Sequence, residues 1–202
     1  MQTILSSLPN SSLQGVYFCG MESNIVLIGF MGCGKSSIGR RLATSLGYKF
    51  SDSDELVTLH QGRSVAEIFA EEGEENFREM ETGQLSGLTT ERRLVLATGG
   101  GAVLRARNRE LLHQIGKVVW LHADPETLFE RASRNRKRPL LEVENPRSTF
   151  DSLLESRLPV YEETADLKID ATGLSHEQTL EEILVLLGFR SGDRSSPHSK
   201  TD

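Results

Sequence analysis

Residues 24–47, NIVLIGFMGCGKSSIGRRLATSLG, pass from a short apolar run through clustered glycines into a helix-spaced pattern, and no other stretch constrains the fold as tightly. The run 24–28 is apolar and partly β-branched, which suits a strand covered on both faces of a parallel sheet. Gly29, Gly32 and Gly34 lead into Lys35 and Ser36, giving G-x-x-x-x-G-K-S. Ile38, Leu42, Ala43 and Leu46 then recur at helical spacing until Gly47 supplies a stop. Glycine lets such a loop curl with its N–H groups inward, so that phosphate oxygens meet several donors and the positive end of a helix dipole together. Lys35 reaches the outer phosphates, and the Ser36 hydroxyl is placed to hold Mg²⁺. A glycine turn with a chance lysine is the plain alternative; the position between strand and helix favours the phosphate loop.

The rest of the chain bounds what such a loop serves. The 202 residues suit one domain, and 37% apolar content is enough for a core once charged surface and tails are set aside. A formal charge of −6 argues against nucleic acid as the main partner, because phosphate contacts along a duplex need a basic face. Anionic ligands must then be drawn by local positive charge. Cys19 and Cys33 form no spaced framework, and no apolar run approaches the length of a membrane span, so a reducing cytoplasm is the expected setting.

Residues 1–20 contain no Lys, Arg, Asp or Glu and show no period. They lack the positive n-region of a secretory signal and the arginines of a transit peptide. A flexible extension over 1–21, or translation starting at Met21, both fit; a single domain over 22–189 follows, and the polar, Ser-rich 190–202 is expected to be disordered.

Strand-like runs at 48–51, 93–97, 118–122 and 167–169 alternate with helical stretches. Alternation implies α/β architecture, a parallel sheet with ligands at the carboxyl ends of its strands. Gly29, Asp52 and Gly99 close three successive strands and should surround one crevice. Asp52 and Asp54, two apart in an extended stretch, can both face the loop, one near the metal and one near an acceptor hydroxyl. The rival reading makes them an N-cap and first-turn acid of a helix over 55–61.

Arg78 is the one base in the acidic helical segment 71–81. It is either a solvated partner of Glu74 and Glu81 or a planar fork for a substrate carboxylate, steadied by a flanking glutamate. Gly99, Gly100 and Gly101 offer bare backbone to a ligand, though a tight turn remains a rival. Trp120 is expected in the core, and a helix over 125–134 precedes a break in composition: 135–147, NRKRPLLEVENPR, reads as a basic lid that closes over a nucleotide, excludes water and brings an arginine to the moving phosphoryl group. Pro159 is expected to interrupt the last long helical stretch and fix Arg157 at an irregular point, where with Arg78 it would complete a two-sided clamp. Cys33, beside Lys35 and a helix N-terminus, sits where a thiolate would be favoured; a small residue merely tolerated there is the rival.

The ordered set GFMGCGKSSIGR, DSD, GEENFR, ATGGG, RKRPLL and SRLPVYEE resembles the shikimate kinase family over 22–187. The resemblance implies a three-layer α/β/α P-loop domain with a five-stranded parallel sheet in the order 2-3-1-4-5 and a mobile lid, as in nucleoside monophosphate kinases, usually monomeric. It implies ATP as co-substrate bound by Gly32, Cys33, Gly34, Lys35, Ser36 and Ser37, and Mg²⁺ held through Ser36 and Asp52. Asp54 would bind the shikimate hydroxyls and act as base, Arg78 and Arg157 would grip the carboxylate, Gly99, Gly100 and Gly101 would line the ring, and Arg138 would be the lid arginine. Lys35, Asp54 and Arg138 would thus carry catalysis. Two departures are visible: Ser37 stands where threonine is common, and the loop 170–175 offers no evident adenine contact. A kinase of gluconate or a nucleoside monophosphate would share the loop with less need of Arg78, Arg157 and the glycines together. A GTP switch would use D-x-x-G, matched by 170–173, but no N-K-x-D follows.

Overall fold

The computed structural model describes residues 23–134 and 144–189. The expected extension 1–21, the tail 190–202 and most of the expected lid, Arg138 included, lie outside the described residues.

Five strands, β1 (Asn24–Ile28), β2 (Lys49–Asp52), β3 (Leu94–Ala97), β4 (Gly116–His122) and β5 (Leu167–Asp170), form one sheet in the order β2-β3-β1-β4-β5. Every adjacent pair is parallel. Side chains along a strand point alternately to opposite faces, so a strand buried at every position is covered on both. This holds for β1 and β3 at the sheet's centre, whereas the edge strands β2 and β5 keep exposed positions. The order matches the one the resemblance implies.

The covering helices are α1 (Lys35–Leu46), α2 (Ser53–Gln61), α3 (Val65–Gly87), α4 (Ala106–Ile115), α5 (Pro125–Ser133), α6 (Pro146–Thr164) and α7 (His176–Leu186). Trp120 is buried in the main core with the apolar faces of α1, α4 and α6. Below α2 and α3 lies a smaller core of Val57, Ile68 and Phe77, Phe77 meeting Phe69 edge-on at 5.0 Å. Among the described residues no helix is long and apolar enough to cross a membrane.

Several boundaries moved for identifiable reasons. Arg93 takes a left-handed φ of 56°, so β3 starts one residue later than its apolar run suggests. Helix α2 begins at Ser53, so Asp54 stands in a helical first turn and not on an extended strand. Helix α3 starts at Val65 behind a Ser64–Glu67 capping box and kinks at Gly73. The acidic segment seen from 71 is thus the second limb of a longer element. Pro159 does not interrupt α6, which continues to Thr164. Proline costs a helix one backbone bond and a steric adjustment, and the buried Phe150, Leu154, Arg157 and Tyr161 on one face of α6 outweigh that cost. The end of the expected lid is also helical: Pro146 and Arg147 open α6, with Arg147 bonded to Asp151 at 2.8 Å and Glu126 at 2.9 Å.

Candidate active site

The phosphate loop joins β1 to α1. Gly29, Gly32 and Gly34 have φ of 143°, 86° and 92°, a backbone that side-chain-bearing residues rarely adopt. Lys35 folds back over the loop and donates to the carbonyls of Gly29 at 2.8 Å and Phe30 at 3.0 Å. Its ammonium is therefore held at the mouth of the cradle, in reach of any anion seated there. Cys33 is buried with its Sγ packed against Gly29. The Lys35 ammonium stands 3.5 Å from that sulfur, as the reactive reading requires, but burial closes the thiol to reagents.

Asp52 is the N-cap of the rival reading and at the same time faces the phosphate loop. Its Oδ1 caps α2 by accepting from Asp54 N at 3.1 Å, and its Oδ2 accepts from Ser36 Oγ at 2.7 Å. The cap thereby ties the end of β2 to the phosphate loop. Asp54, in the first turn of α2, lies near Glu81 and Asp52. Burial first, then those two carboxylates, push its carboxyl up to about 7, with Arg78 and Lys35 opposing.

Arg78 is buried, which excludes the solvated surface pair. Its guanidinium donates to Glu81 at 3.0 Å and Glu74 at 2.9 Å, one turn to either side along α3. The flanking glutamates thus hold the fork as anticipated. Its Nε is the buried side-chain polar atom that lacks a partner among the described residues. Glu81 is fully enclosed and also accepts from Ser53 Oγ at 2.8 Å, while Ser53 Oγ accepts from Gly99 N at 2.8 Å.

The glycines do something the sequence reading did not anticipate. A Cβ on Gly99 would strike Asp54 Oδ1 and come within 2.9 Å of Glu81, and one on Gly101 would enter the guanidinium of Arg78. The bare backbone first makes room for the protein's own charged groups. Gly100 is different, since a Cβ there would meet only ordinary contacts, among them Arg157 Nη1 at 3.7 Å. Arg157 is buried, with its guanidinium over Phe30 at 5.5 Å from the ring centre. Both arginines therefore reach the glycine segment.

A cleft of ≈ 530 Å³ is lined by the loop, Asp52, Asp54, Thr98, Gly99 and Gly100; Arg78, Gly101 and Arg157 are not among its lining residues and meet it only through the glycine segment. Its polar walls combine a phosphate cradle, two carboxylates and clustered cations, a set suited to moving a phosphoryl group between two anionic or hydroxyl-bearing ligands. Residues 31–187 match the family profile described as "Shikimate kinase". The chain belongs to the shikimate kinase family. It is 47% identical over 161 residues to the shikimate kinase of Thioalkalivibrio sulfidiphilus, covering 80% of this chain and 85% of that one. The shikimate kinase of Moorella thermoacetica is 48% identical over 163 residues, with 81% and 93% covered. Among solved structures, the shikimate kinase from Acinetobacter baumannii in complex with shikimate superposes with a TM-score of 0.78 at 42% identity, covering 84% of this chain and 95% of that one.

In this shikimate kinase family member the cleft also takes Arg131 from α5, Arg134 from the cap that follows it, and His176 from the start of α7. Sequence reading missed all three. The arginines are three apart at the end of one helix and so share a face, a signal that was available. His176 had none, because only the tertiary fold brings α7 beside Gly34. Arg131 adds local positive charge of the kind an acidic chain needs to attract nucleotide, while Arg134 is paired with Glu130.

Proposed function

We propose that this chain transfers the γ-phosphoryl group of ATP to the 3-hydroxyl of shikimate, giving shikimate 3-phosphate and ADP. One observation carries the reading: the loop holding Lys35 and the carboxyl of Asp54 line a single cleft, and the glycine segment in its wall is met by both Arg78 and Arg157. Two fixed guanidiniums behind the glycine segment suit a ligand that carries a carboxylate. Gluconate shares that charge but not the ring that would lie against the glycine segment. A nucleoside monophosphate offers a dianionic phosphate in its place.

The acceptor oxygen attacks the γ-phosphorus, the bond to the β-bridging oxygen breaks toward ADP, and the hydroxyl proton passes to Asp54. A carboxyl pushed up to about 7 is matched to that proton at neutral pH. Lys35 and the loop amides take the charge that develops on the phosphate oxygens, with Arg138 as the arginine brought by the lid. The Ser36 hydroxyl and Asp52 carboxylate, 2.7 Å apart, are hard oxygen donors of the kind Mg²⁺ takes, and these two residues would hold it. A divalent cation held by these residues would supply charge neutralisation for the phosphates. Arg131, Arg134 and His176 line the nucleotide's side of the cleft.

A coupled ADP-release assay over shikimate, gluconate and nucleoside monophosphates tests the proposal. Saturable turnover with shikimate alone is expected. Faster turnover with either rival acceptor would overturn it.

A further inference from the structure

The segment Gly99, Gly100 and Gly101 is tied from both sides by hydroxyls that touch no cleft ligand in the reading above. On one side Ser53 Oγ, fully buried, accepts from Gly99 N at 2.8 Å and donates to Glu81 at 2.8 Å, and Glu81 in turn receives Arg78 at 3.0 Å. On the other side Tyr161 Oη donates to Gly100 O at 2.5 Å. Tyr161 is fully buried, stacks on Trp120 at 5.9 Å, and lies one turn after Arg157 on α6, whose guanidinium stands beside the phenol. Burial pushes the Tyr161 phenol well above its ordinary range, so the hydroxyl keeps its proton and remains a donor.

We propose that Ser53 and Tyr161 are positioning residues: by holding Gly99 N and Gly100 O they set the separation of the Arg78 and Arg157 guanidiniums, and so the fit of the substrate carboxylate between them. The proposal rests on the carboxylate-clamp reading given above. Its physical basis is that a three-glycine segment has little stiffness of its own. The arginines reach it from α3 and α6, two elements that have no direct register with each other, and the hydroxyl ties supply one. Serine fits the first position because a single small hydroxyl must both accept and donate inside a closed space. Tyrosine fits the second because its ring anchors in the core while its hydroxyl reaches the backbone.

The test uses steady-state kinetics of the full chain with ATP and shikimate. Tyr161→Phe keeps the ring and removes one hydrogen bond; its shikimate KM is expected to rise by about five- to tenfold, with ATP KM and Tm near wild type. Ser53→Ala should raise shikimate KM further, because it leaves both Gly99 N and Glu81 short of a partner, and Ser53→Thr should restore it. The effect of Tyr161→Phe should shrink to nothing in an Arg157→Met background, since a positioning residue has no effect once its client is gone. Arg78→Met and Arg157→Met alone separate the outcomes. If they raise shikimate KM while Tyr161→Phe and Ser53→Ala stay within about twofold of wild type, the clamp stands and the positioning proposal falls. If Tyr161→Phe raises ATP KM equally and lowers Tm, its role is structural and the proposal again falls. If neither arginine variant moves shikimate KM, the clamp itself is wrong and the proposal goes with it.

Discussion

Gly101 lies against the face of the Arg78 guanidinium so closely that a single added carbon would occupy the space of Arg78 Cζ, at 2.6 Å. A glycine far along the chain therefore fixes where a side chain of α3 can stand. Gly101→Ala is expected to displace Arg78, raise shikimate KM by more than tenfold and cost about 1–3 kcal/mol of stability through overpacking. Gly100→Ala, whose Cβ meets only contacts of 3.6 Å and beyond, should keep wild-type stability. Denaturant unfolding of the two variants side by side checks the contrast.

Lys35 is held by the loop carbonyls of Gly29 and Phe30 before any ligand arrives. Lys35→Met should lower kcat by about 10²- to 10³-fold, the loss seen when one preorganised donor to a developing charge is removed. Tm should fall modestly as well, because the ammonium's bonds are to the carbonyls of two buried residues. Turnover within about tenfold of wild type would count against its role.

Asp54 gives a prediction with a definite sign. Its carboxyl is pushed from 3.8 in the unfolded chain to about 7 in the fold, so the native state binds the extra proton between those values. Native stability attributable to this group is full at low pH and declines as pH rises through about 7. Asp54→Asn should abolish turnover, retain ATP binding, and gain Tm relative to wild type progressively from pH 4 to pH 7, with a constant gap above. Wild-type kcat/KM should climb through the same region as the base loses its proton. Thermal melts across pH, alongside pH–rate profiles, read both.

Cys33 sits inside the loop yet is enclosed, with its sulfur against Gly29. An alkylating reagent is expected to modify it only after unfolding, with or without ATP. Peptide mass mapping distinguishes it from Cys19. Rapid labelling of native Cys33, blocked by ATP, would reverse this view.

What the sequence by itself determined was local. The strand, glycine loop and helix over 24–47 could be read because left-handed backbone, an anion cradle and a helix start are properties of neighbouring residues, and the parallel sheet followed from the alternation of runs. Asp52, Asp54 and Lys35 were legible for the same reason, since each lies within a few residues of a strand end. Tertiary structure alone decided the rest. Glu81 looked like one acid among many and became a buried partner of Arg78, Ser53 and the glycine segment. Pro159 looked like a break and sits in a continuous helix, because the burial of α6 outweighs its local cost. His176 reached the cleft only through the docking of α7 beside α1. Hydrogen bonds between residues dozens of positions apart, such as Ser53 to Glu81 or Tyr161 to Gly100, depend on how sheet and helices close upon one another, and no local pattern encodes that distance.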